Sequence, residues 1–196
     1  MSEGDYIRTD SEWDELVWIW ERTEAPKGCK VEIVGGVITV TPVQNLRHQT
    51  TVSDVFRLLC QGTDPEWRVV HHLGLAVPSR LELYVPDIAV VPRGAVPEGD
   101  VPFVPAAAAL LVGEVTSTVT GENDRGRKAA GYAEAGVPLY LLVDGVAPGG
   151  PTVTLYGEPR DGVYRMLGAR PFGEPVDLPA PFNLTLGTSN LPVPMS

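Results

Sequence analysis

Residues 110–144 combine two apolar runs with a short polar stretch between them. The runs, 110–116 and 139–143, are almost continuously apolar, which is typical of strands covered on both faces. Between them the pattern predicts a helix that begins at Asn123 or Asp124. This strand–helix–strand unit favours an α+β or mixed α/β fold, in which helices cover a central sheet.

Glu114 is a carboxylate inside the first apolar run. Because an unpaired buried carboxylate is costly, Glu114 is either paired with a buried base or bound to a metal, and the sequence leaves both open. Lys128, on the predicted helix, can reach the strand. Its spacing from Asp124 also indicates an ordinary helix ion pair. Tyr132 is predicted to be a packing residue with its hydroxyl at the edge.

Other segments add short elements to this unit. Tight-turn glycines, Gly35 and Gly36, separate two β-branched runs and indicate a hairpin. Proline-rich stretches indicate loops. The predicted elements are helices over 11–22 and 46–60, strands over 67–77 and 83–91, a loop over 92–105, and hairpins over 31–40 and beyond 148.

The charge of the chain bears on its partners. The net charge of −10 argues, taken alone, against nucleic-acid binding, which depends on phosphate neutralisation. The excess is uneven, however, because residues 1–32 hold nine acids and four bases, so a local basic face can persist elsewhere. The acidic N-terminus lacks a signal-peptide pattern and there are two cysteines, so we expect a cytoplasmic protein.

A second acid, Asp87, follows Pro86 in the strand-like run YVPDIAVV. An aspartate beside a proline is more often a turn or cap residue. If its strand neighbours that of Glu114, however, the two carboxylates converge as hard oxygen ligands of the kind that hold Mg²⁺. The adjacent His71 and His72 are expected on opposite faces of a strand, which excludes a shared metal.

Four motifs resemble the Uma2 family of bacterial endonucleases, within the PD-(D/E)XK restriction-endonuclease-like superfamily. They are PD (86–87), EVTS (114–117), DRGRK (124–128) and YAEAGVPLYLLVD (132–144), in that order. The resemblance extends over about residues 15–188. It implies a restriction-endonuclease-like core, with a central mixed β-sheet flanked by helices and extra N- and C-terminal hairpins. One domain is expected over residues 1–196, with its core at about 11–188.

The resemblance also implies a Mg²⁺- or Mn²⁺-dependent phosphodiesterase site. Asp87 and Glu114 would be the metal carboxylates, and the backbone carbonyl of Val115 a further ligand. Two residues after the glutamate the superfamily has a lysine, where this chain has Thr116. The resemblance implies that Lys128 takes over the catalytic role. Possible additional members of the site are Glu32 and His48.

We therefore expect a metal-dependent endonuclease that hydrolyses DNA phosphodiester bonds. A homodimer is plausible, because one site per chain suits the cutting of two strands by a twofold pair. The alternative is a non-catalytic module that keeps the fold and binds nucleic acid or protein, favoured by the acidic charge and by the missing lysine after Glu114. A hydrolase of small phosphoesters is a third possibility.

Overall fold

The computed structural model describes residues 11–42, 44–97, 99, 101–116 and 121–192. Within these residues the chain forms three helices longer than a single 3₁₀ turn, and the third consists of three consecutive pieces. They are α1 (Glu12–Arg22), α2 (Leu46–Gly62) and α3 (Gly121–Asn123, a π-helical turn Asp124–Lys128, and Ala129–Glu134).

Thirteen strands are described in the same part of the chain. They are β1 (Lys30–Val34), β2 (Val37–Thr41), β3 (Trp67–Val70), β4 (Gly74–Val77), β5 (Glu82–Tyr84), β6 (Ile88–Pro92), β7 (Phe103–Pro105), β8 (Leu111–Val115), β9 (Leu139–Asp144), β10 (Thr152–Arg160), β11 (Val163–Pro171), β12 (Val176–Leu178) and β13 (Leu184–Leu186).

The strands form two mixed sheets and a small hairpin. The larger sheet has the order β11-β10-β9-β8-β6-β3, the second has the order β2-β1-β5-β4-β7, and β12 pairs with β13. Strands β8 and β9 are parallel, with α3 between them in the sequence. This arrangement confirms both the predicted strand–helix–strand unit and the expected α+β fold with a central mixed sheet.

The larger sheet is apolar on both faces. Successive residues of β6 alternate between two hydrophobic clusters, since Ile88 and Val90 belong to one and Ala89 and Val91 to the other. The first cluster also contains residues of α2 and of the β12–β13 hairpin, and the second contains Tyr132 of α3. Each fully buried large apolar side chain contributes about 1.5–3 kcal/mol to the free energy of folding, so the hydrophobic clusters on both faces stabilise the sheet.

Local sequence signals explain the N-terminal elements. The Oγ of Ser11 accepts a hydrogen bond from the backbone N–H of Asp14 at 3.2 Å, as expected for the N-cap of α1. Gly35 and Gly36 have φ angles of 60° and 75°, which permit the tight turn between β1 and β2. The predictions of α1, α2 and this hairpin are therefore confirmed.

Two predicted strands are wrong, because each is divided between the two sheets. The run 67–77 contains β3 of the larger sheet and β4 of the smaller one, and the chain turns at His72, where φ is 53°. The run 83–91 is likewise divided into β5 and β6 at residues 85–87. Pro86 and Asp87 are buried like the strands beside them, and the first turn consists of only two exposed histidines between apolar runs, so the apolar pattern does not reveal either crossing.

Three smaller corrections concern loops and ends. The predicted loop 92–105 contains β7, and the proline-rich tail contains the β12–β13 hairpin. Strands of three residues are too short to give an alternating pattern. The described part of α3 begins at Gly121, so the predicted helix start at Asn123 or Asp124 is wrong. Within the described ranges, no helix is long and apolar enough to cross a membrane.

Candidate functional site

Strand register brings Asp87 and Glu114 together. Antiparallel β6 and β8 pair Ile88 with Gly113, so Asp87, in the bend just before β6, and Glu114 come next at the same end of these two strands. Both acids are buried, at 3% and 2% exposure, and both line a cavity of about 460 Å³. The structure thus places the two predicted carboxylates at one cavity.

Asp87 is surrounded by hydrogen-bond donors. Its Oδ2 accepts from the backbone N–H of Val115 at 2.8 Å and lies 3.3 Å from His48 Nε2, while Oδ1 lies 2.5 Å from Lys30 Nζ. Burial alone would raise the pKa of Asp87, but His48 and Lys30 outweigh it and hold this pKa well below its usual range. Asp87 is therefore a permanent anion near neutral pH.

Glu114 has fewer donors than Asp87 and is equally buried. Its Oε1 accepts from Lys128 Nζ and from the Tyr132 hydroxyl, each at 3.1 Å. Burial raises the pKa of Glu114 to about 8, against the pull of Lys128 and with reinforcement from Asp124. Glu114 is therefore a carboxyl that holds or releases a proton close to neutral pH.

Lys128 is the cation at the centre of the buried acids. Its Nζ lies 2.9 Å from Glu32 Oε1, 3.1 Å from Glu114 Oε1 and 3.6 Å from Asp124 Oδ1. Burial would lower the pKa of Lys128, but the three carboxylates outweigh it and raise this pKa well above the usual value. The predicted Asp124–Lys128 ion pair is confirmed.

The lysine owes its position to an irregular helix. Lys128 ends the π-helical turn of α3, and π-helical turns recur at functional sites. The Tyr140 hydroxyl donates to the carbonyl of Asp124 at 2.7 Å. The Tyr84 hydroxyl donates to Glu82 Oε2 and lies 3.4 Å from the carbonyl oxygen of Arg127. The Tyr140 bond attaches the start of the turn to β9, and Lys128 at its end contacts Glu114.

Glu32, His48 and Val115 also lie at the cavity. Glu32 Oε1 accepts from the backbone N–H of Val85 at 2.7 Å, which links β1 to the segment before Asp87. His48, in the first turn of α2, has its Nε2 2.9 Å from the carbonyl oxygen of Val115. The structure therefore groups every residue that the sequence proposed for the site. Ser117, the last residue of the EVTS motif, lies outside the described residues.

Three features of the site were missed or misjudged. Lys30 was not proposed, although it stands two residues before Glu32 and so shares its face of a strand. Tyr132 is fully buried and hydrogen-bonded to Glu114, rather than having its hydroxyl at an edge. His71 and His72 border the same cavity, because the chain bends there instead of continuing a strand.

The oxygen donors around the cavity are of the chemical type that binds a hard divalent cation, but within the described part of the chain they are not arranged around one point. Carboxylates and a backbone carbonyl are the oxygen ligands that Mg²⁺ prefers. Among the described residues, however, no three acid, histidine or cysteine side chains are already grouped around one point as metal ligands. Four carboxylates and two lysines line the cavity, which leaves two negative charges if every acid is ionised. One divalent cation would balance them.

Comparisons with known proteins agree with this architecture. The Uma2 family model, described as "Putative restriction endonuclease", matches residues 14–193. A crystal structure of "a putative nuclease belonging to DUF820 from Anabaena variabilis ATCC 29413" is similar in fold, with a TM-score of 0.67 and 17% sequence identity. The match covers 91% of this chain and 96% of that one. No curated protein matches the chain.

Proposed function

This chain belongs to the Uma2 family, and we propose that it is a metal-dependent endonuclease that hydrolyses DNA phosphodiester bonds. One observation carries the proposal. Asp87, just before β6, and Glu114, in the neighbouring strand β8, line one cavity together with Lys128. Two buried acids and a buried base at one cavity are expensive to maintain without a function.

The proposed ligands of Mg²⁺ or Mn²⁺ are the carboxylates of Asp87 and Glu114 and the carbonyl of Val115. A divalent cation held there would supply Lewis-acid stabilisation of the charge on phosphorus and lower the pKa of an attacking water. His48 acts on the ligands, since its Nε2 lies 2.9 Å from the Val115 oxygen and 3.3 Å from Asp87 Oδ2. It thereby fixes the direction of both groups.

Lys128 is proposed to orient the attacking water. Its ammonium keeps Glu32 and Glu114 turned towards the cavity at 2.9 Å and 3.1 Å. Its longest contact, 3.6 Å to Asp124, is the one that a water molecule can most easily replace. Lys128 would then hold the water on the same side as Glu114, whose pKa of about 8 without a cation means that it would release a proton as the metal binds.

DNA is the proposed substrate, and a homodimer would place one site against each strand. The test is nicking of supercoiled plasmid with Mn²⁺ or Mg²⁺ by wild type, Asp87→Asn and Glu114→Gln. Both variants keep side-chain shape while removing a ligand charge. We expect each to lose at least ~100-fold in rate, the scale of a lost transition-state contact.

The matched control is Glu66→Gln, which removes an exposed acid outside the cavity. It should cleave as fast as wild type. Nicking that persists equally in Asp87→Asn and Glu114→Gln would show that the activity comes from another site or another protein. Near-UV circular dichroism of each variant separates loss of chemistry from loss of fold.

A non-catalytic binding module is the second candidate. It is favoured by the lysine contacts of both acids, 2.5 Å for Asp87 and 3.1 Å for Glu114, which neutralise them without any metal. Calorimetric titration with Mn²⁺ distinguishes the two functions. Absence of binding, together with DNA or protein binding that is unaffected by Asp87→Asn, would favour the module.

A further inference from the structure

Lys30 is the second cation of the cavity and differs from Lys128 in its surroundings. It is the first residue of β1, and its side chain is 18% exposed, against 4% for Lys128. Its Nζ lies 2.5 Å from Asp87 Oδ1. Among the described residues, Asp87 is the one carboxylate within ion-pair distance of Lys30.

The two oxygens of Asp87 have different roles. Oδ2 is held by the rigid backbone N–H of Val115 and by His48, at 2.8 Å and 3.3 Å. Among the described residues, Oδ1 accepts a hydrogen bond only from the ammonium of Lys30, which is the end of a flexible four-carbon side chain. A cation that binds Asp87 can therefore leave the Oδ2 contacts intact, but it must compete with Lys30 for Oδ1.

Lys128 offers no comparable exchange. Three carboxylates surround it, so its departure would leave several buried charges without a counter-ion. Lys30 has one such partner and borders an open cavity of about 460 Å³ into which its ammonium can move. The cavity also has two surplus negative charges when all its acids are ionised, so both lysines can stay nearby after a divalent cation enters.

We propose that Lys30 is an exchangeable internal cation that neutralises Asp87 until Mg²⁺ or Mn²⁺ takes its place at Oδ1. The proposal rests on the metal-dependent function proposed above. It makes metal occupancy a competition between a dissolved cation and a tethered one. The site would then fill only at divalent-ion concentrations high enough to displace the ammonium.

The first experiment uses amine acetylation of the wild-type chain, followed by mass spectrometry. The sequence has three lysines, Lys27, Lys30 and Lys128, so each can be followed separately. Lys27 is exposed and serves as the internal reference, while Lys128 is the buried one. Saturating Mn²⁺ should raise the acetylation rate of Lys30 several-fold relative to Lys27, and Lys128 should stay unreactive.

The second experiment measures Mn²⁺ binding by calorimetry, without DNA. Lys30→Met removes the competing charge but keeps the length of the side chain, and we expect about tenfold tighter binding, a modest part of a close unit-charge interaction. Lys30→Arg retains a cation and should bind Mn²⁺ no more tightly than wild type. Lys27→Met, which changes the net charge equally, should alter the affinity less than about twofold because exposed distant charges are screened.

The outcomes separate the two proposals. Equal Mn²⁺ affinity of wild type and Lys30→Met, with no change in Lys30 acetylation, would overturn the exchange and leave a metal-dependent enzyme standing. Equal tightening in Lys27→Met and Lys30→Met would also overturn it, because the effect would then be general. Absence of Mn²⁺ binding in wild type and Lys30→Met alike would overturn both proposals. If Lys30→Met fails to fold, acetylation of the wild-type chain still tests the exchange, because an unchanged Lys30 rate in saturating Mn²⁺ would overturn it.

Discussion

The two acids of the cavity lie at the same end of neighbouring strands β6 and β8, yet their surroundings shift their pKa values in opposite directions. Asp87 contacts a backbone N–H, an imidazole and an ammonium, which lower its pKa. Glu114 is equally buried, but among the described residues it accepts hydrogen bonds from one ammonium and one hydroxyl, and burial raises its pKa to about 8. The number and charge of the donors, rather than depth, therefore decide which acid is ionised.

This difference suggests a division of labour. When neighbouring carboxyl groups have widely separated pKa values, one can remain an anion while the other exchanges protons. Under the proposed function, Asp87 is the permanent anchor for a cation, and Glu114 is the ligand that must release a proton when the cation binds. The predictions below test the two sides of the cavity against each other.

The largest effect is expected on the Glu114 side, from Lys128→Met. The change leaves Glu32, Glu114 and Asp124 buried without their shared cation. Breaking a buried ion pair costs about 3–5 kcal/mol, so the free energy of unfolding in urea should fall by this amount. Lys27→Met, on the surface, should change it by less than about 0.5 kcal/mol.

A double variant sharpens that prediction. In Lys128→Met with Glu114→Gln at pH 9, where the wild-type Glu114 is ionised, one of the uncompensated acids is removed, so part of the lost stability should return. A double variant that is destabilised by the full sum of the single changes would show that Lys128 and Glu114 are not energetically coupled.

The next effect compares the two acids directly. Asp87→Asn removes an ionised group that accepts from charged donors, so it should lower the free energy of unfolding by about 2 kcal/mol at pH 6. Glu114→Gln should cost less than about 1 kcal/mol at the same pH, because the carboxyl it replaces is then largely protonated. Urea unfolding of both variants provides the comparison, and equal costs would contradict the assigned ionisation states.

A pH series tests Glu114 by itself. Its folded pKa, about 8, exceeds the usual 4.5, so its stabilising contribution is complete below pH 4.5 and is lost as the pH rises towards 8. Relative to Glu114→Gln, the wild-type protein should therefore lose stability between pH 5 and pH 8, by at most ~1.4 kcal/mol per pH unit. A flat difference between the two proteins over this range would show that Glu114 is ionised throughout.

The parts of the fold predicted from the sequence are those governed by local patterns. The continuous apolar runs of β8 and β9 follow from a sheet with a hydrophobic cluster on each face. The crossing at residues 85–87 could not be predicted because buried residues continue through it, and the crossing at His72 is marked by only two exposed histidines between apolar runs. Which sheet a strand joins depends on distant partners, and these leave no local signal.

The candidate site shows the same limit. Asp87, Glu114 and Lys128 were proposed from motif order, and strand register explains why they lie together. Lys30 was missed because its partner, Asp87, is 57 residues away in the sequence. The hydroxyl of Tyr132 was misjudged for a similar reason, since its burial depends on packing against both sheets rather than on its own helix.

A small effect, on stability alone, is expected at Thr116, which occupies the lysine position of the superfamily. Its hydroxyl donates to Asp144 Oδ1 at 2.7 Å, and Arg125 binds the same carboxylate at 2.7 Å and 2.9 Å. Thr116 does not line the cavity of Asp87 and Glu114. Thr116→Val should therefore cost about 1 kcal/mol of stability, the value of one hydrogen bond, and leave Mn²⁺ affinity unchanged. A large loss of Mn²⁺ binding in calorimetry would place Thr116 in the site after all, and the difference between the two acids would then need a third participant.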